Sequence, residues 1–270
     1  MKHYQKSKLE QNLDDELLRR TSGRCQQALR YLINHKALEQ LMQFCNVVSI
    51  ERLGMNDHGR VHTKTAALNA LTLMDLLADA GIQPNVVSEQ TGEMDDARLA
   101  VAVAAYLHDL GMSISRQDHE FHSARIGDPF IIEVLRHVYA DEGMVYVMRS
   151  YINECIMGHM AHMSVSSVEA GVVLVSDGCD MENGRARILA QKHREPHIGD
   201  IHQYSAMSVT EVTIHKGAKK PIEIFIKMKD ATGIFQVEQV LMGKIAMSAI
   251  KPHIELAVQI ATGKKLYYLK

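Results

Sequence analysis

The residues best suited to chemistry in this sequence are a histidine and an aspartate that stand side by side, His108 and Asp109. They end the apolar part of the stretch AAYLHDLGMS, residues 104–113. Aspartate supplies charged oxygens and a neutral imidazole supplies nitrogen, and this mixture suits divalent transition metals. Adjacent residues of a helix converge on one ion only near its end, where Gly111 supplies a turn. The pair therefore predicts part of a metal site whose other ligands lie elsewhere.

Further ligand candidates stand at the margins of other apolar segments. In chain order they are His62, His122, His159 and Asp177. A metal site inside a helical bundle requires such ligands on several helices that face one cavity. The spacing leaves two alternatives open, because His119 could replace His122 and His162 could replace His159.

The segments that carry these candidates have helical spacing. The stretch VHTKTAALNALTLMDLLADAG predicts a helix with His62 at its start and Gly81 at its end. The stretch MDDARLAVAVAAYLHDLG is apolar nearly all round, which predicts a central helix capped by Asp95 or Asp96. Because helical segments precede and follow these two, the fold is predicted to be mainly α.

The segments around the last two candidates are also predicted to be helical. His159 closes the stretch INECIMGHMAHM, and Asp177 ends the stretch VVLVSDGCD. Ser166 and Glu169 have the spacing of a capping box at the start of the second helix. Asp180 lies three residues after Asp177, on the same helical face, where it could orient a ligand or a water.

The order of these residues on consecutive helices resembles the HD superfamily of metal-dependent phosphohydrolases. The resemblance covers about residues 50–190 and depends on the ordered set rather than on the dipeptide. The segment SDGCDMENGRAR also resembles the closing segment of that family, in which the metal-binding aspartate is followed by a further acid and a basic residue. The resemblance implies an HD-type helical bundle and the hydrolysis of a phosphate ester.

The resemblance also implies the roles of individual residues. It implies a first metal site made by His62, His108, Asp109 and Asp177. Asp109 would bridge to a second metal held by His122 and His159. The cofactor would be one or two divalent ions of iron, manganese, cobalt, nickel, zinc or magnesium. A water activated by these ions would attack phosphorus in line, and Asp109 would also accept a proton.

One position departs from the pattern of the family. Many members carry a lysine just after the glycine of the HD segment, and here that position is Met112. Another cation must then bind the phosphate, and the candidates are Arg116, Arg125, Arg185 and Arg187. Arg187 is assigned the catalytic stabilisation of developing negative charge. His162 is a further candidate for contact with the substrate.

The favoured function is that of a metal-dependent phosphatase or phosphodiesterase acting on a small phosphorylated substrate, with nucleotides as candidates. The segment around His159 lacks the Gly-Tyr-Pro signature of the cyclic-di-GMP phosphodiesterase branch, so that substrate is not assigned. The alternative is a non-catalytic regulator that binds a metal or a nucleotide on the same helical domain. Met112 and the absence of an obvious general acid favour this alternative.

The composition argues against several other classes of protein. A formal net charge of -2 gives no electrostatic reason to bind nucleic acid or an anionic membrane. No apolar run approaches the roughly 20 residues of a membrane span, and the N-terminus is too polar for a signal peptide. The four cysteines form no CxxC pair, which suits buried, reduced thiols. A cytoplasmic location is therefore expected.

The character of the chain changes at residues 192–206, which are polar and contain Pro196 and Gly199. This change predicts a linker between a helical domain, residues 1–195, and a small α+β module, residues 205–270. Two alternating strands, an amphipathic helix and a last strand predict a β-β-α-β order in the module. An exposed strand edge invites pairing with a second copy, so the module is predicted to form a homodimer or to cap the substrate.

Overall fold

The computed structural model describes residues 6–182 and 201–270. This part of the chain is mainly helical and ends in a small sheet of four strands, as the sequence predicts. The helices before residue 183 are α1 (Lys8–Arg19), α2 (Gly23–Ile33), α3 (Lys36–Asn46), α4 (Arg60–Asp79), α5 (Asn85–Ser88), α6 (Met94–Leu107), α7 (His119–Val138), α8 (Glu142–Gly158) and α9 (Val168–Cys179). Most of the predicted linker lies outside the described residues.

The C-terminal module begins within a helix and contains both helical and extended segments. Its helices are α10 (Ile201–Ser208), α11 (Ile234–Gln236) and α12 (Met242–Met247), and π-helical turns at Val237–Leu241 join the last two. We call the continuous segment 234–247 the module helix. The strands are β1 (Val209–His215), β2 (Ile222–Met228), β3 (Ile254–Ile260) and β4 (Leu266–Leu269).

Helix α6 lies at the centre of the helical part, as its apolar sequence predicts. Its residues from Leu99 to Leu107 are all buried, and α2, α4, α8 and α9 pack around it. Five alanines in this helix keep its surface narrow, so that neighbouring helices approach on every side. No face of the helix from Leu99 onward is exposed to solvent, and its C-terminal end therefore lies inside the protein.

The start of α6 is held by a buried carboxylate. The N-cap is Glu93, whose backbone N–H donates to Asp96 at 2.8 Å. Of the two predicted capping residues, Asp96 is therefore the one that caps the helix, and it does so from the first turn rather than from the N-cap position. Arg24 donates two hydrogen bonds to the same carboxylate, and the Tyr139 hydroxyl donates a third. This network connects α2 and the end of α7 to the start of the helix that precedes the His108–Asp109 pair.

Replacement of Asp96 by asparagine is expected to lower the free energy of unfolding by about 2–3 kcal/mol at neutral pH. Burial by itself raises the pKa of Asp96, but Arg24 and Tyr139 outweigh it and lower that pKa. The contribution is therefore present above the ordinary aspartate pKa of about 3.9 and is lost as pH falls through the lowered value. Urea unfolding at several pH values measures it, with the exposed Asp79→Asn as the control. An equal effect of both changes would contradict this account.

Helix α9 is present as predicted, but its cap differs by one residue. Ser167, rather than Ser166, is the N-cap, and its hydroxyl accepts from the backbone of Ala170. Glu169 does not close a capping box, because its carboxylate accepts the N–H groups of Asn85 and Val86 at the start of α5. The acid therefore connects two elements of the fold instead of capping its own helix.

The sheet has the order β1-β2-β3-β4. Strands β1 and β2 form the predicted antiparallel hairpin, whereas β2 and β3 are parallel and are joined by the crossover of the module helix. Strand β4 adds a fourth strand that the sequence pattern does not predict. At the β1 edge, the N–H of Val212 donates to Glu182. Pairing of this module with a second copy stays a prediction.

The module helix and the residues directly after it pack on α9 at two glycines. A Cβ atom at Gly171 would lie 2.7 Å from the hydroxyl of Ser248, and one at Gly178 would lie 2.9 Å from the side chain of Lys244. Both distances are too short for real atoms, so the two glycines permit the module to approach α9 closely. This approach brings the module beside Asp177, one of the predicted metal ligands.

Candidate metal centre

Four side chains of the predicted first site meet in a buried cluster. The Nε2 atom of His62 lies 3.1 Å from Nε2 of His108, and 3.2 Å from a carboxylate oxygen of both Asp109 and Asp177. Nε2 of His108 lies 3.5 and 3.6 Å from the same two oxygens. Helices α4, α6 and α9 and the turn after α6 thus deliver two nitrogens and two oxygens to one point.

A second group shares Asp109. Its Oδ1 atom lies 3.2 Å from Nε2 of His119 and 3.7 Å from Nε2 of His159, while Oδ2 faces the first group. The two imidazole nitrogens are themselves 3.1 Å apart. Asp109 therefore stands between two sets of ligand atoms with one oxygen toward each.

The four imidazoles are held in one orientation by their other ring nitrogens. Nδ1 of His62 donates to Asp180 at 2.6 Å, which is the orienting role predicted for that acid. Nδ1 of the other three donates to backbone carbonyls at 2.6–3.0 Å: His108 to Ala105, His119 to Arg116, and His159 to Ile156. Because Nδ1 of each ring is held by an acceptor, Nε2 is the ring nitrogen that faces the cluster.

These residues fit a metal ion better than they fit one another. The Nε2 atoms of two pairs of imidazoles face each other at 3.1 Å, and the buried Oδ2 atom of Asp109 receives no hydrogen bond among the described residues. Ions of this type bind nitrogen and oxygen at about 2.0–2.2 Å, so two ligands of one ion lie roughly 3.0–3.5 Å apart. A cation in each group would be bound by these nitrogens and would give the orphaned oxygen a partner.

The protonation states also suit a metal. Burial alone raises the pKa of Asp109 and Asp177, but the imidazoles around both, together with Lys244 beside Asp177, outweigh it and hold both values well below the usual range. Burial lowers the pKa of His159 well below its usual value. The acids are therefore ionised and this imidazole is neutral, which are the forms that bind a cation.

Gly111 contributes by close packing. Its φ is not positive, so the predicted turn needs no glycine there. A Cβ atom on it would lie 2.0 Å from the backbone oxygen of His119 and 2.6 Å from the backbone nitrogen of Ser123. The missing side chain lets the start of α7 lie against the turn after α6. This contact brings His119 beside Asp109.

The structure changes one residue of the predicted second site. His119, the alternative left open by the spacing, takes the position assigned to His122, which belongs to none of the clusters in the described chain. Helix α7 begins directly at His119, after Asp118 in a left-handed conformation, and His122 lies almost one turn further along. Between the other two alternatives, His159 joins the cluster, whereas His162 is 61% exposed and contacts Glu120.

The four candidate arginines differ in their position relative to the candidate site. The guanidinium of Arg116 lies on the ring of His119, with Nη1 3.1 and 3.2 Å from the two ring nitrogens, and lines a cavity above it. Arg125 is exposed and is not among the residues that line this cavity. Arg185 and Arg187 lie outside the described residues, so their assigned roles stay predictions.

Two residues lie near the candidate metal centre although the sequence does not predict them there. Lys244 donates to Asp177 at 2.6 Å and to the backbone oxygen of His159. His58, in the segment between α3 and α4, is buried with its ring 5.9 Å from that of His62. The signal for Lys244 is its position on the apolar stripe of the module helix, one turn after the buried Leu241. Met112, in place of the family lysine, is fully buried and offers no contact to a substrate.

The candidate metal centre forms the floor of a cavity of about 700 Å³. Asp109, Asp177 and His119 line it at the bottom, and Arg116 and Lys244 add positive charge. Other lining residues come from the segment between α3 and α4, from the end of α8 and from the module helix. A cavity of this size suits a small-molecule ligand.

The cysteines are not suited to metal binding. All four are buried, and burial raises the pKa of each thiol, to about 12 for Cys25 and Cys45 and further for Cys155 and Cys179. A protonated thiol is a poor ligand compared with a thiolate. The described ligand candidates are thus nitrogen and oxygen atoms alone, in agreement with the sequence prediction.

Comparison with known proteins relates the chain to an archaeal protein. The chain is 33% identical over 256 residues to Uncharacterized protein MJ1020 of Methanocaldococcus jannaschii, an alignment that covers 95% of this chain and 97% of the archaeal protein. The chain therefore belongs to the same family as that protein. No family model and no solved structure matches the chain. Within the described ranges, no helix combines the length and the apolar character that crossing a membrane requires.

Proposed function

We propose that this protein is a metal-dependent phosphohydrolase of the HD type, with a dinuclear centre. The observation that carries the proposal is the position of Asp109, whose two oxygens face two separate groups of imidazoles at the floor of an open cavity. A bridging carboxylate between two ions a few ångström apart is the arrangement that serves phosphoryl transfer. The order of the ligands along the chain supports the same class.

The proposed ligands of the first ion are His62, His108, Asp109 and Asp177. Those of the second ion are Asp109, His119 and His159. When bound, the ions would lower the pKa of a coordinated water and neutralise charge on the phosphoryl oxygens. The remaining ring nitrogens keep the ligands in place, because each donates to a fixed acceptor.

The chain supplies the other groups that a phosphate ester requires. Arg116 lines the cavity beside the second group and takes the role of the missing lysine, which is to bind the phosphoryl oxygens. His58 also lines the cavity and donates its Nδ1 proton to the backbone oxygen of Asn56. The substrate is a small phosphomonoester or phosphodiester.

Replacement of Arg116 by leucine is expected to weaken the binding of inorganic phosphate to the metal-loaded protein by about tenfold, with no loss of metal. Arg125→Leu is the matched control, since Arg125 is a surface arginine on the neighbouring helix α7. Isothermal titration calorimetry measures the affinity, and elemental analysis measures the metal. Equal effects of the two changes would remove Arg116 from the phosphate site.

The experiment that tests the function combines elemental analysis of the purified protein with a panel of phosphomonoesters and phosphodiesters. Chelation is expected to abolish hydrolysis, and one of the six candidate cations is expected to restore it. A metal-loaded protein that hydrolyses no member of the panel would contradict the proposal and support the regulatory alternative.

A further inference from the structure

One wall of the cavity is formed by the C-terminal module, not by the helices that carry the metal-site residues. The lining residues of this wall, which we call the module wall, are Gln236, Gln239, Val240, Gly243 and Lys244. They repeat every three or four residues along the module helix and so share one side of it. Residues Leu53–Asn56, between α3 and α4, line the cavity as well.

The module wall has a fixed position relative to the metal centre. Lys244 is buried, and its ammonium group contacts Asp177 and the backbone of His159. Asp177 belongs to the first proposed group of metal ligands and His159 to the second. The close packing at Gly178 holds the module helix on α9 at the same level. A ligand whose phosphate binds over the metal centre therefore has the module beside its other end.

The chemistry of the outer cavity differs from that of its floor. The side-chain amides of Asn56 and Gln239 line it, and neither has a hydrogen-bond partner among the described residues. Leu53, Met55 and Val240 add apolar surface beside them. Amide donors and acceptors flanked by apolar groups suit an uncharged planar ring that carries hydrogen-bonding edges, whereas the floor suits an anion.

Gly243 leaves space in the module wall. A Cβ atom added to it would meet nothing within 4 Å, so close packing does not explain the glycine. Glycine inside a helix costs about 1 kcal/mol relative to alanine. Because the residue lines the cavity, the missing side chain adds directly to the room available to a ligand.

We propose that the module wall binds the organic group of the phosphate ester and that this group is a nucleoside. The space left by the missing side chain of Gly243 then sets the size of the group that fits. The inference rests on the proposed phosphohydrolase function and adds to it the part of the chain that selects the substrate. The C-terminal module is then a component of the active site.

The test compares Gly243→Phe with Ala246→Phe in the metal-loaded protein. Ala246 is exposed on the same helix and does not line the cavity. Two probes are titrated by calorimetry: inorganic phosphate and a nonhydrolysable purine nucleoside 5′-methylenephosphonate. Gly243→Phe is expected to weaken binding of the nucleoside probe about tenfold or more and that of phosphate by less than about twofold. Ala246→Phe is expected to change neither affinity.

The outcomes separate this inference from the function on which it rests. If the wild-type protein binds phosphate but gains nothing from the nucleoside group, the inference is overturned and the phosphohydrolase proposal stands. Unchanged binding of the nucleoside probe by Gly243→Phe, or an equal loss for both probes, also overturns it. If the wild-type protein binds no phosphate and hydrolyses no ester, both proposals fail.

Discussion

Replacement of Asp109 by alanine is expected to abolish binding of the second metal ion, weaken binding of the first and lower turnover of a phosphate ester by about 10³-fold or more. The reason is that Asp109 contributes to both groups, with its two oxygens each 3.2 Å from an imidazole nitrogen, of His62 and of His119. Without it the second group retains two imidazoles and no charged ligand. Elemental analysis and steady-state kinetics measure the two effects.

Two further variants make this result specific. Asp109→Asn keeps the shape of the side chain and removes its charge, so it is expected to lose metal almost as completely as Asp109→Ala. Asp118→Asn is the control, because Asp118 is exposed and has a left-handed backbone conformation that asparagine tolerates. Full metal content and full turnover in Asp109→Ala would contradict the dinuclear centre.

The helices that carry the candidate site follow from the sequence because their apolar residues are spaced to bury one face or, in α6, every face. Burial of α6 on all sides forces its polar end, His108 and Asp109, into the interior. A buried acid next to a buried histidine requires a partner, and this physical need made the pair informative. The residues His62, His159 and Asp177 then follow, since each ends or begins a buried helix.

The choice between His119 and His122 could not be made from spacing. Both precede the same apolar pattern, and either could begin the helix. Their positions depend on the left-handed Asp118 and on the backbone contact at Gly111, where α7 lies against the turn after α6. That contact joins two elements through tertiary packing, which no local pattern records.

Lys244 was missed for a different reason. It lies 67 residues after Asp177, with which it pairs, and in a module that carries no cluster of acids and histidines. A lysine on an apolar stripe indicates a buried partner, because an ammonium group is rarely buried unpaired. The sequence could therefore predict that Lys244 has a partner, but only the packing of the module helix on α9 identifies Asp177.

His119→Ala is expected to remove one metal ion from each chain and to lower turnover about 10²-fold, whereas His122→Ala is expected to keep both ions and to change turnover by less than about twofold. The structural reason is that Nε2 of His119 lies 3.2 Å from Asp109 and 3.1 Å from Nε2 of His159, while His122 takes no part in the cluster. The two variants are matched because both remove an imidazole from the first turn of α7.

The measurement for this pair is elemental analysis together with electron paramagnetic resonance of the manganese-loaded protein. Two manganese ions that share Asp109 as a ligand would be magnetically coupled, so loss of the second ion in His119→Ala is expected to leave the spectrum of an isolated ion. His122→Ala is expected to keep the coupled spectrum of the wild-type protein. Retention of both ions by His119→Ala, with loss of one by His122→Ala, would restore the ligand set first chosen from the sequence and would mean that α7 begins in a different register around the metals.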